Sequence, residues 1–160
     1  MYRFREHNGW SFWKKRLNSL LSKEFKKHFS FDFSGVHSDW FDGYCIGIKY
    51  NGKYIVTRNY SHDTPGISRY NYFNGEFIRY EKLKHEESAK ENTFFFRMFS
   101  LLDKRTGKRT LEKFLDDYYY LSLSNFLGNN NEMIELLPLY EAVFELRGIK
   151  YKGENNEENK

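Results

Sequence analysis

The chain predicts an α+β fold: an N-terminal amphipathic helix, a central antiparallel sheet of four to five strands built from two hairpins, and C-terminal helices. Three observations point there. Apolar residues recur at three- and four-residue spacing over 10–28, apolar and polar residues alternate around two Asn-Gly pairs in the middle, and helical spacing returns after Lys82. At 160 residues the chain has the size of one domain and is long enough to bury about 70% of the surface its unfolded form exposes. We place that α+β domain at 1–151 and expect the polar, acidic residues 152–160 to be a disordered tail.

The first helix rests on Trp10, Trp13, Leu17, Leu20, Leu21 and Phe25, which at about 100° per residue fall within an arc of about 140°. Strands follow. Phe29, Phe31 and Phe33 alternate with polar residues, as do Tyr44, Ile46, Ile48 and Tyr50, and Asn51-Gly52 leads into Tyr54-Ile55-Val56-Thr57. Asn and Gly tolerate the positive φ of a type I′ turn, which makes this a strong hairpin signal. The spacing predicts a second hairpin in which Tyr70 and Tyr72, then Phe77, Ile78 and Tyr80, flank Asn74-Gly75.

Beyond Lys82 the charged run 84–90 reads as short or mobile. Asn92-Thr93 suits the cap of a helix holding Phe94, Phe95, Met98, Leu101 and Leu102, with Gly107 as its stop. Thr110 suits the cap of the next, whose stripe is Leu111, Phe114, Leu115 and Tyr118, with Glu112 favoured by the N-terminal dipole. Gly128–Asn131 reads as a loop, and Pro138 opens a last helix that ends at Gly148.

Thirty-two residues are Phe, Tyr or Trp, against two Ala and three Val. Such an excess predicts rings left over for a partner, because large rings dominate interface energetics where they stay exposed. The candidates are the sheet tyrosines Tyr50, Tyr60, Tyr70, Tyr72 and Tyr80, and the pair Tyr119 and Tyr120. In Tyr118-Tyr119-Tyr120 three successive helical positions cannot all face a core.

The net charge of +4 is uneven: residues 1–60 carry 11 Lys/Arg against 5 Asp/Glu, residues 61–160 carry 15 against 17. Lys15, Arg16, Lys23, Lys26 and Lys27 project from the polar side of the first helix. Lys104, Arg105, Lys108 and Arg109 form the densest later cluster. Together they make a candidate basic contact for an anionic partner, although a solvated helix face and a charged helix-turn-helix hinge explain the same residues. A phosphate-binding loop is excluded at 102–109, because Leu102 stands where its first Gly belongs and Arg109 where its hydroxyl residue belongs.

No convincing catalytic set emerges. His37, Asp39 and Asp42 offer an imidazole and two carboxylates to a divalent metal, but their spacing is unspecific and Asp42-Gly43 reads more simply as a turn. His62-Asp63 lacks an adjacent nucleophile. Cys45, the only cysteine, reads as a core residue in a strand. A lone cysteine without a targeting segment fits a cytoplasmic protein, and no cofactor or metal is expected. No apolar run approaches the length of a membrane span.

Trp10-Ser11-x-x-Lys14-Lys15-Arg16-Leu17-x-x-Leu20-Leu21 and Leu102-Asp103-x-Arg105-x-Gly107-Lys108-Arg109-x-Leu111 resemble the opening and late motifs of a bacterial family of small proteins with no assigned activity. That resemblance implies a shared fold and no chemistry. In type, the size, basic helix and Asn/Lys/Phe/Tyr-rich, Ala-poor usage also resemble anti-CRISPR proteins of staphylococcal-type mobile elements. The expected function is therefore a non-enzymatic inhibitor carried by a phage or other mobile element. It would dock on a larger nucleic-acid enzyme, most concretely a type II CRISPR effector nuclease. The alternative is direct nucleic-acid binding through the basic residues, with tyrosines stacking on bases; a metal-dependent hydrolase is the remote one.

Overall fold

The computed structural model describes residues 7–37, 42–61 and 69–151. The predicted first helix is two: α1 (His7–Leu20) and α2 (Lys23–Lys26). Ser22 separates them, accepting a hydrogen bond from the Phe25 amide at 3.1 Å, as an N-cap serine does.

Three strands follow, β1 (Phe29–His37), β2 (Asp42–Tyr50) and β3 (Lys53–Ser61), antiparallel and in the order β1-β2-β3. The Asn51-Gly52 turn joins β2 to β3 with φ of 50° and 82°, the positive values its residues were chosen for. Register places Phe31, Ile48 and Val56 abreast on the buried face and Asp32, Gly47 and Thr57 abreast on the other. A register shift at Ile48/Lys49 brings Lys49 opposite Tyr54.

The second hairpin does not form. Residues 69–82 are the helix α3 (Arg69–Lys82), so the sheet has three strands among the described residues instead of four or five. Phe77 and Tyr80, three apart, are both wholly buried, which a helix face permits and strand alternation does not. Asn74-Gly75 lies inside the helix, where packing outweighs the roughly 1 kcal/mol that an interior Gly costs.

The remaining elements are α4 (His85–Lys90), α5 (Phe94–Leu102), α6 (Lys108–Phe126), a 3₁₀ turn (Glu132–Leu136) and α7 (Leu137–Arg147). Two boundaries differ from expectation. Asp103, not Gly107, closes α5, and Gly107 is the N-cap of α6, which puts Thr110 within its first turn and Glu112 beyond it. Pro138 does open α7, and Gly148 ends it at φ 66°.

Every residue of α5 is buried, and the helix is the axis of the core. Phe77 meets Phe99 edge-on at 4.9 Å, and Tyr80 meets Phe96 and Phe99 at 5.6 and 5.3 Å. A second ring cluster joins Tyr118 to Phe144 at 5.7 Å and to Tyr151 at 5.5 Å, locking the chain after α7 onto α6. Each such pair adds about 0.5–1.5 kcal/mol beyond its buried area. One hydrophobic cluster runs from Leu17 to Tyr151. Most of the aromatic side chains among the described ones are thus core: with so few Ala and Val, helices and sheet are spaced by rings.

Candidate functional site

The connection between α5 and α6 holds the densest polar cluster. Asp103, 2% exposed, accepts from the Tyr80 hydroxyl at 2.7 Å and from Arg105 through Nε, the terminal nitrogen at 2.7 Å and the backbone amide at 2.9 Å. Burial alone would raise the Asp103 pKa, but hydrogen bonds from Arg105 and Tyr80 outweigh it and hold the carboxyl below its usual range. Burial, then the facing carboxylate, pushes the Tyr80 hydroxyl well up, so it stays protonated and donates. The Lys104 amide donates to Leu20 O at 2.7 Å and Arg147 donates to Thr106 O at 2.8 Å, tying this connection to α1 and α7.

His85 Nε2 lies 3.2 Å from Thr106 Oγ1, and His85 Nδ1 lies 3.6 Å from Asp103 Oδ2, a hydroxyl–imidazole–carboxylate order that resembles a catalytic triad. The proton positions contradict that role. Thr106 Oγ1 is 2.5 Å from the Ser100 carbonyl, an acceptor only, so the hydroxyl proton goes there and Thr106 accepts from His85 Nε2–H. A general base needs that nitrogen unprotonated. Thr106 is also 1% exposed, and the cluster is a structural junction.

Among the described residues the large exposed apolar side chains are Tyr54, Ile78 and a group of five at the C-terminal end of α6. Tyr118 is buried, whereas Tyr119 is 49% exposed, Tyr120 66%, Leu123 57%, Phe126 86% and Leu127 63%. At 100° per residue these five share the face opposite Leu111, Phe114, Tyr118 and Leu121. The same face begins with the exposed Lys108, Arg109, Glu112, Lys113 and Asp116. α6 therefore shows an N-terminal half of mixed charge, three cations against Glu112 and Asp116, and an apolar C-terminal half.

The other sequence candidates divide. Tyr80 is wholly buried and belongs to the core, which removes it from any contact surface. Tyr70 and Tyr72 belong to α3 instead of a hairpin; their side chains, with those of Tyr60 and Cys45, lie outside the described ones. Tyr50 is half-buried against Phe29, their ring centres 5.2 Å apart. Arg105 is spent on Asp103, and Arg16 on Glu81 and on the Phe77 ring 5.3 Å away. Lys27 pairs with Glu24 at 3.4 Å on the surface, worth little. Lys15, Lys23, Lys26, Lys104, Lys108 and Arg109 are exposed. The Lys104–Leu20 hydrogen bond brings the later basic cluster to the end of α1, so basic residues more than 80 apart in sequence share one region.

Asp39 and the His62-Asp63 pair lie outside the described residues, while His37 and Asp42 are register partners at the end of β1 and β2. Among the described residues no group of three or more His, Cys, Asp or Glu is placed to hold a metal ion. No described helix is long and apolar enough to cross a membrane.

Sequence spacing found Tyr119 and Tyr120 but missed Leu123, Phe126 and Leu127. Their signal was available: residues 119, 120, 123, 126 and 127 repeat the i, i+1, i+4, i+7, i+8 pattern of a helix face distinct from that of 111, 114 and 118.

No curated protein and no solved structure matches the chain. Neither this nor the family comparison connects it to anti-CRISPR proteins. What the chain is similar to is the SF0329 protein family, an uncharacterised family whose model matches residues 46–121, a range that takes in the 102–111 run and leaves out 10–21.

Proposed function

We propose that this is a non-enzymatic binding protein that docks its α6 face on a larger protein with an acidic surface. The observation that carries the reading is the stripe of Tyr119, Tyr120, Leu123, Phe126 and Leu127, five large apolar side chains each about half exposed or more on one helix face. Burying such a stripe contributes roughly 25 cal/mol per Å², and Tyr and Phe are efficient anchors because they bring area at low entropic cost. Charge selects the occupant. Lys108, Arg109 and Lys113 head the same face with Glu112 and Asp116 among them, a local excess of one positive charge, and the chain carries a net charge of +4. The net positive charge favours an acidic partner over a second copy.

A type II CRISPR effector nuclease is the concrete target to assay. Mixing the purified nuclease with this protein on a sizing column should give a complex at micromolar concentrations that Phe126→Ser abolishes. No complex overturns that target. A discrete homodimer of the free chain, broken by Phe126→Ser, overturns the partner reading itself, because the stripe then belongs to a second copy.

The second reading, direct nucleic-acid binding, is favoured by the basic region that Lys104 and Leu20 join. It predicts affinity that falls steeply with salt. Gel shifts showing no binding of single- or double-stranded DNA or RNA at low salt would remove it.

A further inference from the structure

The exposed face of α6 extends beyond its apolar stripe. At 100° per residue, Lys108, Arg109, Glu112, Lys113 and Asp116 fall in the same arc of about 140° as the five apolar residues from Tyr119 to Leu127, and every one of these side chains is exposed. From Arg109 to Phe126 the middle of the row advances by three and four residues in strict alternation, through 112, 116, 119 and 123, as a coiled-coil seam does.

The row is about 28 Å long at 1.5 Å per residue. Its flanks are already taken into the fold: Leu115 and Ser122 are half-buried on one side, as are Thr110 and Asp117 on the other, where Ser124 is buried. A stripe so long and so narrow matches one helix laid lengthwise against α6, with axes about 8–10 Å apart.

Charge decides against a second copy as that helix. None of the five charged side chains forms an ion pair among the described residues, so each is available to a partner. A parallel two-fold pairing would set each of them opposite its own copy, like charge against like. An antiparallel pairing along the whole row would set the charged half against the apolar half and desolvate charges without partners. Overlap of the apolar halves alone would leave the charged half unused.

We propose that the partner docks through a single amphipathic helix that lies along α6. It is apolar where it meets 119–127 and carries acid, base, acid and base opposite Arg109, Glu112, Lys113 and Asp116. A further acid meets Lys108, the one cation left over. This rests on the docking reading above and adds the element that docks. The change from charged to apolar between Asp116 and Tyr119, with the alternating signs before it, sets the register.

The probe is a synthetic helix of about 20 residues, enough to span the row. It carries Leu opposite the stripe and Glu, Lys, Glu and Lys opposite Arg109, Glu112, Lys113 and Asp116, and is made in both chain directions. Fluorescence anisotropy at physiological ionic strength follows its binding to the full chain. One direction should bind saturably, and the same peptide with its four charges exchanged should bind at least tenfold more weakly. Glu112→Lys/Asp116→Lys, with an unchanged Tm, should instead prefer a peptide with Glu at all four positions by at least tenfold. Failure of both directions to bind, or equal affinity for the matched and exchanged peptides, overturns the docking helix. Nuclease binding that Phe126→Ser abolishes would survive that result, so the two failures are distinct, whereas a homodimer broken by Phe126→Ser overturns both.

Discussion

Tyr80 donates its hydroxyl proton to Asp103 Oδ2 at 2.7 Å, with both residues out of water, joining α3 to the connection between α5 and α6. A buried carboxylate is stable only while its partners hold it. Tyr80→Phe should cost about 1–2 kcal/mol and Asp103→Ala about 3 kcal/mol in urea unfolding, because the second leaves the Tyr80 hydroxyl buried and unpaired. Equal, near-zero losses would show that the junction does not hold the fold together.

Asp103 also sets an acid limit. Its folded pKa is depressed, so the unfolded chain takes up a proton first as pH falls. The stability it contributes is present above the ordinary carboxylate pKa of about 3.9 and is lost as pH falls through the lower folded value. Asp103→Asn should flatten the stability profile between about pH 5 and 3, measured by urea midpoints.

His85 acts in a higher window. Burial lowers its pKa, with Asp103 opposing and Arg105 adding to the shift, so the folded protein resists the proton that the unfolded chain binds. Stability should fall as pH drops below about 6.5, and His85→Gln should remove that slope between pH 6.5 and 5.

Gly75 separates helix from hairpin. A Cβ there meets nothing within 4 Å, and the residue sits inside α3. Gly75→Ala should therefore raise stability by about 0.5–1 kcal/mol. In a type I′ turn the same change would lower it.

On the outer sheet face the Tyr54 ring covers Gly47: a Cβ at 47 would lie 2.7 Å from Tyr54 Cε1. The ring is held by a hydrogen bond from its hydroxyl to Asp32 at 2.5 Å and by Lys49 Nζ 4.7 Å from its centre. Gly47→Ala should displace the ring and cost about 1 kcal/mol, and most of that cost should vanish in a Tyr54→Ala background, as a double-mutant cycle would show.

What the sequence revealed depended on how local the determinant was. Asn51-Gly52, Pro138 and Gly148 act through their own backbone angles and were legible. Asn74-Gly75 carries the same turn signal, but burial of Phe77 and Tyr80 against Phe96 and Phe99 decides the matter, and those partners lie some 20 residues away. Asp103 and Arg105 were visible as charges; that the half-exposed Arg105 guanidinium closes over a buried Asp103 carboxylate follows only from folding. The exposed half of α6 was half legible, since Tyr119 and Tyr120 stand out as neighbours while Leu123, Phe126 and Leu127 look like ordinary core residues until the opposite face is seen to be filled.

The proposed function depends on the α6 stripe. Its most direct test is titration of the purified type II CRISPR effector nuclease with the wild-type protein and with Tyr120→Ala/Phe126→Ser, following both complex formation and DNA cleavage. Wild type should bind at micromolar concentration or tighter and inhibit cleavage, and the double variant, folded with an unchanged Tm, should lose at least 100-fold in affinity. Binding by both proteins with equal affinity would contradict the account, because the stripe would then be surface without a role.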